Sequence, residues 1–102
     1  MVRVTVKGFT VEIPDEVARR IVEFDRTCRE AGGVTQIRTS MYGIEGFGRN
    51  VIQLVCWGAS GKVKNVYIPV TPDLAKSLAG LIKMKGIRVA DLIEALHKAG
   101  IR

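Results

Sequence analysis

Residues 34–70 read VTQIRTSMYGIEGFGRNVIQLVCWGASGKVKNVYIPV. Two glycine-containing segments, residues 43–48 and 58–61, divide this stretch, because glycine is enriched where antiparallel strands reverse direction. The division predicts three strands, at Val34–Tyr42, Asn50–Trp57 and Lys62–Val70. Side chains alternate between the two faces of a strand, so one face of each strand is predicted to be apolar and to pack on a core. In the second strand Ile52 and Leu54 lie on that face, and Trp57 lies on the opposite one. The other face mixes basic, polar and aromatic side chains.

The mixed face is the predicted binding surface. A solvated sheet face does not normally carry both a tryptophan and a tyrosine. Basic side chains along a backbone, combined with aromatic rings on which bases stack, are typical of single-stranded nucleic-acid sites. The residues predicted to contact phosphates are Arg38, Arg49, Lys62 and Lys64. The residues predicted to form a stacking or apolar floor are Tyr42, Phe47, Trp57 and Tyr67. The alternative interpretation is that Trp57 and Tyr67 fill a core or a subunit interface.

Charge and hydropathy agree with a polyanionic partner and with self-association. The 102 residues carry a net charge of +6, with a pI near 9.8, and the positive excess lies in residues 34–70 and 71–102. Such an excess suits nucleic acid, although it could also serve solubility alone. Hydrophobic residues make up 47% of the chain and the mean hydropathy is +0.16, which is high for a small domain. We therefore expect a homo-oligomer, a dimer or a tetramer, in which a second subunit covers apolar surface.

The remaining patterns predict one domain spanning residues 1–102. Alternating apolar residues on either side of Lys7-Gly8 predict a hairpin that pairs Val6 with Phe9. Pro14-Asp15-Glu16 starts an amphipathic helix that Gly32-Gly33 ends. Two further helices are predicted in residues 71–102, one capped by Thr71 and the other running from about Val89 to Lys98. Together they form a helical C-terminal part that could assemble subunits. The order ββαβββαα predicts an α+β fold, an antiparallel sheet of about five strands with helices on one face.

Other classes of function find little support. No residues form a catalytic constellation, so we expect neither an enzyme nor a cofactor; the single histidine, His97, is interpreted as a surface residue near a helix end. The glycine-rich turn joins two strands rather than a strand and a helix, which argues against a phosphate-binding loop. A helix-turn-helix at the C-terminus would turn Asp91 and Glu94 towards DNA phosphates.

The cysteines and the hydropathy profile address location. Cys28 and Cys56 lie in separate elements at apolar-leaning positions, without metal-ligand spacing, and are interpreted as buried free thiols. No apolar run approaches the roughly 20 residues that span a bilayer, and the N-terminus lacks the pattern of a signal peptide. A cytoplasmic protein without a membrane partner is expected.

The order hairpin, long helix, three strands resembles the ThermoDBP family of archaeal single-stranded DNA-binding proteins. The resemblance rests on Phe9-Thr10-Val11-Glu12-Ile13-Pro14 leading into the helix and on residues 48–57, GRNVIQLVCW, in the sheet. It covers roughly residues 1–80. It implies a cytoplasmic protein of a thermophilic archaeon that binds single strands in a cleft of basic and apolar side chains, as an oligomer. Founding members carry a longer helical C-terminal extension, so the resemblance leaves the assembly of this chain open.

The sequence thus favours a single-stranded DNA-binding protein with little sequence preference. Two alternatives stay open. The mixed face could be a homo-oligomeric protein-interaction surface that contacts no nucleic acid. The partner could also be RNA, because stacking platforms do not distinguish the two sugars unless a group reads the 2′-hydroxyl.

Overall fold

A computed structural model describes residues 1–40, 50–59, 63–84 and 86–102 of the chain. These residues form an α+β domain, as predicted, with five antiparallel strands and three α-helices in the described ranges. The elements are β1 (Val2–Val6), β2 (Phe9–Ile13), α1 (Asp15–Glu30), β3 (Val34–Ser40), β4 (Val51–Trp57), β5 (Val66–Pro69), α2 (Pro72–Ala79) with a following π-helical turn (Gly80–Met84), and α3 (Val89–Lys98).

The N-terminal hairpin has the predicted register. β1 pairs with β2 so that Val6 lies opposite Phe9, and Lys7 and Gly8 both have positive φ angles, of 48° and 87°. Positive φ at both central residues is the geometry of a two-residue turn whose twist matches that of the strands. The hairpin turns a row of buried valines into the core, while Phe9 remains 39% exposed at its tip.

Helix α1 also follows its sequence signals. Asp15 and Glu16 lie in its first turn, where the helix dipole favours negative charge. The chain leaves the helix through Gly32, whose φ of 83° is accessible to glycine at little cost. The buried stripe of the helix includes Ile21, Phe24 and Cys28, and it packs against β3 and β4.

Strands β3, β4 and β5 form a three-stranded sheet in that order. Ile37, Ile52, Leu54 and Ile68 point from its inner face into the core that α1 covers. β5 is a short edge strand that ends at Pro69, and the next residue, Val70, donates its N–H to the carbonyl oxygen of Asn50 at 3.2 Å. The third strand is thus shorter than the predicted Lys62–Val70. The end of the first predicted strand, beyond Ser40, lies outside the described residues.

The C-terminal helices complete the core. Thr71 caps α2, accepting the N–H of Leu74 on its hydroxyl at 3.2 Å, as its sequence context predicts. α2 packs against β2 and β3, whereas α3 packs against β1 and α1. The hairpin forms a two-stranded sheet of its own, and α2 contacts strands of both sheets. The single sheet of about five strands that we expected is therefore divided in two.

The interpretation of the cysteines as free thiols is wrong, because Cys28 and Cys56 form a disulfide. Strand alternation turns Cys56 to the inner face, and the last turn of α1 brings Cys28 beneath it. Gly33 permits this approach: a Cβ there would lie 2.8 Å from the carbonyl oxygen of Trp57 and 3.0 Å from the Cys28 sulfur. A separation of 28 residues gives no sign of this contact, since it depends on how helix and sheet pack.

Within the described ranges, no helix has both the length and the apolar character needed to cross a membrane.

Candidate nucleic-acid interface

The candidate interface is the face of the three-stranded sheet that points away from α1, called here the outer face. Alternation and strand register determine its members, and both agree with the predicted assignment of faces. In the part of the chain that the structure describes, the outer-face residues are Val34, Gln36, Arg38, Val51, Gln53, Val55, Trp57, Tyr67 and Pro69.

One row of the outer face crosses all three strands. Arg38 of β3 lies opposite Gln53 of β4, which in turn lies opposite Tyr67 of β5. Neighbouring strands are about 4.8 Å apart, so the row spans about 10 Å. The Gln53 side-chain amide donates a hydrogen bond to the Tyr67 hydroxyl at 2.9 Å. This bond fixes the position of the tyrosine ring beside the amide.

Arg38 supplies the positive charge of this row. Its side chain is exposed. Among the described residues no ion pair involves Arg38, whereas Arg3, Arg29 and Arg88 each lie within 4 Å of a carboxylate. An exposed guanidinium without a carboxylate partner is available to an external anion such as a phosphate.

Trp57 lies on the same face, at the other end of β4. It is 51% exposed, and its cross-strand partner Val34 is 66% exposed. Four residues separate Trp57 from Gln53, which corresponds to about 13 Å at about 3.3 Å per residue. Trp57 and Arg38 therefore share a face but lie in different rows, and a ligand contacting both must extend along the strands.

Two valines of β4 on the outer face are closed to solvent. Val51 and Val55 are 0% and 9% exposed and lie outside the main core cluster. The accessible part of the face includes the row from Arg38 to Tyr67 and the exposed pair of Val34 and Trp57, and the exposed Gln36 connects the two along β3.

The structure brings together three of the eight predicted site residues, Arg38, Trp57 and Tyr67. Lys64 is exposed but lies beside α1, where it lines a hollow with Arg20 and Thr27. Lys64 lies two residues before the inward-facing Val66. Because alternate side chains of an extended segment point to the same side, Lys64 is separated from the outer face. The other four predicted residues lie outside the described part of the chain, and they are Tyr42, Phe47, Arg49 and Lys62.

Within the row from Arg38 to Tyr67, Gln53 is the residue that our sequence-based selection left out. Because Gln53 lies four residues before Trp57 in the same strand, the sequence placed both on one face. Gln53 was not selected because a neutral amide is neither a phosphate ligand nor a stacking platform. Its position became apparent only from the register, which sets it between Arg38 and Tyr67. In the described ranges, no group of three or more histidine, cysteine, aspartate or glutamate side chains could hold a metal ion.

Comparisons with known proteins identify no relative of this chain, so any functional assignment rests on the geometry of the site. No protein-family model matches the sequence, and neither the curated proteins nor the solved structures contain a significant match.

Proposed function

We propose that the outer face binds single-stranded DNA without sequence preference. The observation that carries the proposal is that three residues lie on one face of one sheet: Arg38, which has no ion pair among the described residues, a positioned Tyr67 and a half-exposed Trp57. Sites that hold single strands combine cationic side chains for the backbone with aromatic rings for the bases. The net charge of +6 adds a general attraction for a polyanion.

Each residue has a distinct role in this proposal. Arg38 pairs with a phosphate, and the Tyr67 ring, held by Gln53, contacts a base or sugar. Trp57 offers the larger stacking surface, at the far end of the face. None of these contacts reads the hydrogen-bonding edge of a base, so the site is expected to accept any sequence. A duplex keeps its bases stacked inside the helix and cannot use the aromatic rings.

The order of elements that resembles the ThermoDBP family agrees with this proposal. In founding members of that family the longer helical C-terminal extension assembles subunits. Here α2 and α3 contribute Leu78, Leu92 and Leu96 to the core of their own domain. Any assembly of this chain would therefore use surfaces other than the buried stripes of these two helices.

One observation favours a second candidate function. Val34 and Trp57 are paired across two strands, and both are more than half exposed. Exposed apolar neighbours of this size are typical of protein contacts as well as of base-stacking sites. In this alternative the outer face joins two copies of the chain and binds no nucleic acid.

Fluorescence anisotropy distinguishes the two functions. Labelled single-stranded DNA, the same sequence as a duplex and the corresponding single-stranded RNA are titrated with protein at two salt concentrations. Binding to the single strands that weakens with salt, and exceeds binding to the duplex, is expected. Equal affinity for single strand and duplex would indicate electrostatic attraction alone. Binding to none of the three, together with concentration-dependent dimerisation in sedimentation, would replace the proposal with the interaction surface.

A further inference from the structure

A groove separates the C-terminal half of α1 from α3, on the side of the molecule away from the outer face. The start of β3 forms its floor, and the groove has a volume of 430 Å³. Cavities that bind small molecules typically have volumes of about 300–1,000 Å³. The groove contains none of the residues assigned to the nucleic-acid interface except Val34 at its rim.

Two polar side chains that are largely buried line this groove, and one of them has no hydrogen-bond partner among the described residues. Thr35 is 5% exposed, and its hydroxyl oxygen has no partner in the described structure. Asp25 is 8% exposed and forms an ion pair in which its Oδ2 lies 3.5 Å from Arg29 Nε. The Arg29 side chain is 62% exposed, so one side of the carboxylate stays open to the groove. Buried polar atoms usually have partners, so the Thr35 hydroxyl and the Asp25 carboxylate in the same lining offer hydrogen bonds to a ligand in the groove.

The polar groups that line the groove are mainly hydrogen-bond acceptors. His97 Nδ1 lies 3.0 Å from the carbonyl oxygen of Ile101, which can only accept, so Nδ1 carries the proton. In the neutral ring the other nitrogen, Nε2, then has a free lone pair. Together with the Asp25 carboxylate and the Thr35 hydroxyl, it gives the groove three acceptors. Glu94 adds a carboxylate at the rim.

The remaining lining is aliphatic. Val34, Val89, Ala90 and Ile93 provide carbon surface next to these acceptors. The guanidinium of the lining, that of Arg29, already faces Asp25, and the rim carboxylate of Glu94 is paired with Lys98 Nζ at 3.3 Å. An anion would therefore meet the Asp25 carboxylate without a free cation of the lining beside it. The lining therefore matches a donor-rich cation that carries an aliphatic chain.

We propose that this groove binds an aliphatic primary ammonium group. Its three N–H donors match Asp25, Thr35 and His97, and its methylene chain lies against the wall that Ile93 and Val34 form. A primary ammonium on a short chain is the chemistry of a lysine side chain and equally of a free aliphatic amine. The proposal is independent of the outer face and holds whether or not that face binds nucleic acid.

The test is a titration followed by ¹H–¹⁵N NMR of the whole chain, with n-butylamine hydrochloride as the probe. Saturable shifts of the backbone amides of Gly33, Thr35 and Ala90 are expected. Matched titrations use n-butanol, which keeps the chain without the charge, and butyrate, which reverses the charge. No saturable shift with n-butylamine, or equal shifts with n-butanol, would overturn the proposal.

Two isosteric variants assign the shifts to the buried polar groups. Asp25→Asn removes the charge, and we expect it to weaken binding of n-butylamine about 10- to 100-fold, because hydrogen bonds to ionised groups are the strong ones. Thr35→Val removes a hydroxyl that has no partner, so it should leave folding intact while weakening binding about threefold or more. The control, Glu16→Gln, removes an exposed carboxylate from the first turn of α1, outside the groove.

The ¹⁵N spectrum of each variant reports its fold before the titration. A folded Asp25→Asn protein that binds n-butylamine as tightly as the parent would refute the role of the carboxylate. Two further probes distinguish the source of the ammonium: Nα-acetyl-lysine methylamide represents a polypeptide, and cadaverine represents a free diamine. The probe that binds more tightly identifies the source of the ammonium group. If neither probe binds, the proposal is refuted for natural ligands of this class.

Discussion

Replacing Trp57 by alanine is the most direct perturbation of the proposed interface. The indole is 51% exposed on the outer face and lies outside the main core cluster. Removing it should therefore weaken the binding of single-stranded DNA more than it weakens the fold.

The magnitude follows from the stacking role. A base stacked on an aromatic side chain contributes about 1–3 kcal/mol, as judged by substitution with alanine. Loss of one stack corresponds to a dissociation constant about 5- to 150-fold higher. Truncating a fully buried aromatic residue costs about 3–5 kcal/mol of stability. Since half of the Trp57 surface is exposed in the folded protein, we expect a smaller loss here, which leaves the variant folded.

The assay is fluorescence anisotropy with labelled single strands at several salt concentrations. The indole carries no charge, so Trp57→Ala should lower affinity by the same factor at every concentration and leave the salt slope unchanged. The matched control is Phe9→Ala. Phe9 is also an aromatic residue, 39% exposed, but it lies in the hairpin sheet and not on the outer face.

Two results would refute the reasoning. Unchanged affinity in a folded Trp57→Ala protein would exclude the indole from the site. An equal loss for Phe9→Ala would show that any reduction of exposed aromatic surface has the same effect. Sedimentation of both variants covers the alternative, because a subunit interface at Val34 and Trp57 predicts a shift towards monomer in the Trp57 variant alone.

Three further predictions test the charge, the close packing and the covalent link. Arg38→Ala should reduce the slope of log affinity against log salt by about 0.7, because one phosphate contact to a single strand is lost. Gly33→Ala should destabilise the fold by about 1–3 kcal/mol in urea unfolding, since the added methyl meets the Trp57 carbonyl at 2.8 Å. Replacing both Cys28 and Cys56 by alanine should lower stability by about 3–4 kcal/mol, the loop-entropy value for a 28-residue separation. Reduction of the parent protein with dithiothreitol should reproduce most of that loss.

Matched controls accompany these predictions. Arg19→Ala removes an exposed arginine from α1, on the opposite side of the sheet, and should change the salt slope less than Arg38→Ala does. Gly80→Ala adds a methyl where no atom lies within 4 Å, with helical backbone angles, so it should be neutral or slightly stabilising. Equal effects for Gly33 and Gly80 would contradict the close contact. A double cysteine variant as stable as the parent would contradict the disulfide.

Local patterns predicted most of the secondary structure. The two-residue turn, the cap at Thr71 and the limits of α1 and α3 depend on neighbours in sequence, and each matches the structure closely. The assignment of Ile52 and Leu54 to the inner face and of Trp57 to the outer face is confirmed as well. Alternation is a property of the strand itself, so it does not depend on what the strand packs against.

Features that depend on packing between distant elements were not predictable in this way. The division into two sheets depends on which strands pair in the folded chain, and the disulfide depends on where α1 crosses β4. The groove is a further case. Asp25 lies four residues after Ile21 and three before Cys28, so it occupies a core-facing position of the helix. A charged residue at such a position was the available sign in the sequence of a polar site beside this helix. No feature of the sequence indicates that the Thr35 hydroxyl lacks a hydrogen-bond partner among the described residues.

The short strand β5 also determines how the sheet can grow. Because Val70 donates its N–H inward to β4, the nitrogen of the preceding residue, Pro69, faces the free edge, where proline has no hydrogen to donate. A strand approaching this edge therefore meets a gap in the row of donors that it would need. Short strands and edge prolines are common means of preventing intermolecular sheet extension and aggregation. The β5 edge is accordingly a poor site for adding a strand from another molecule.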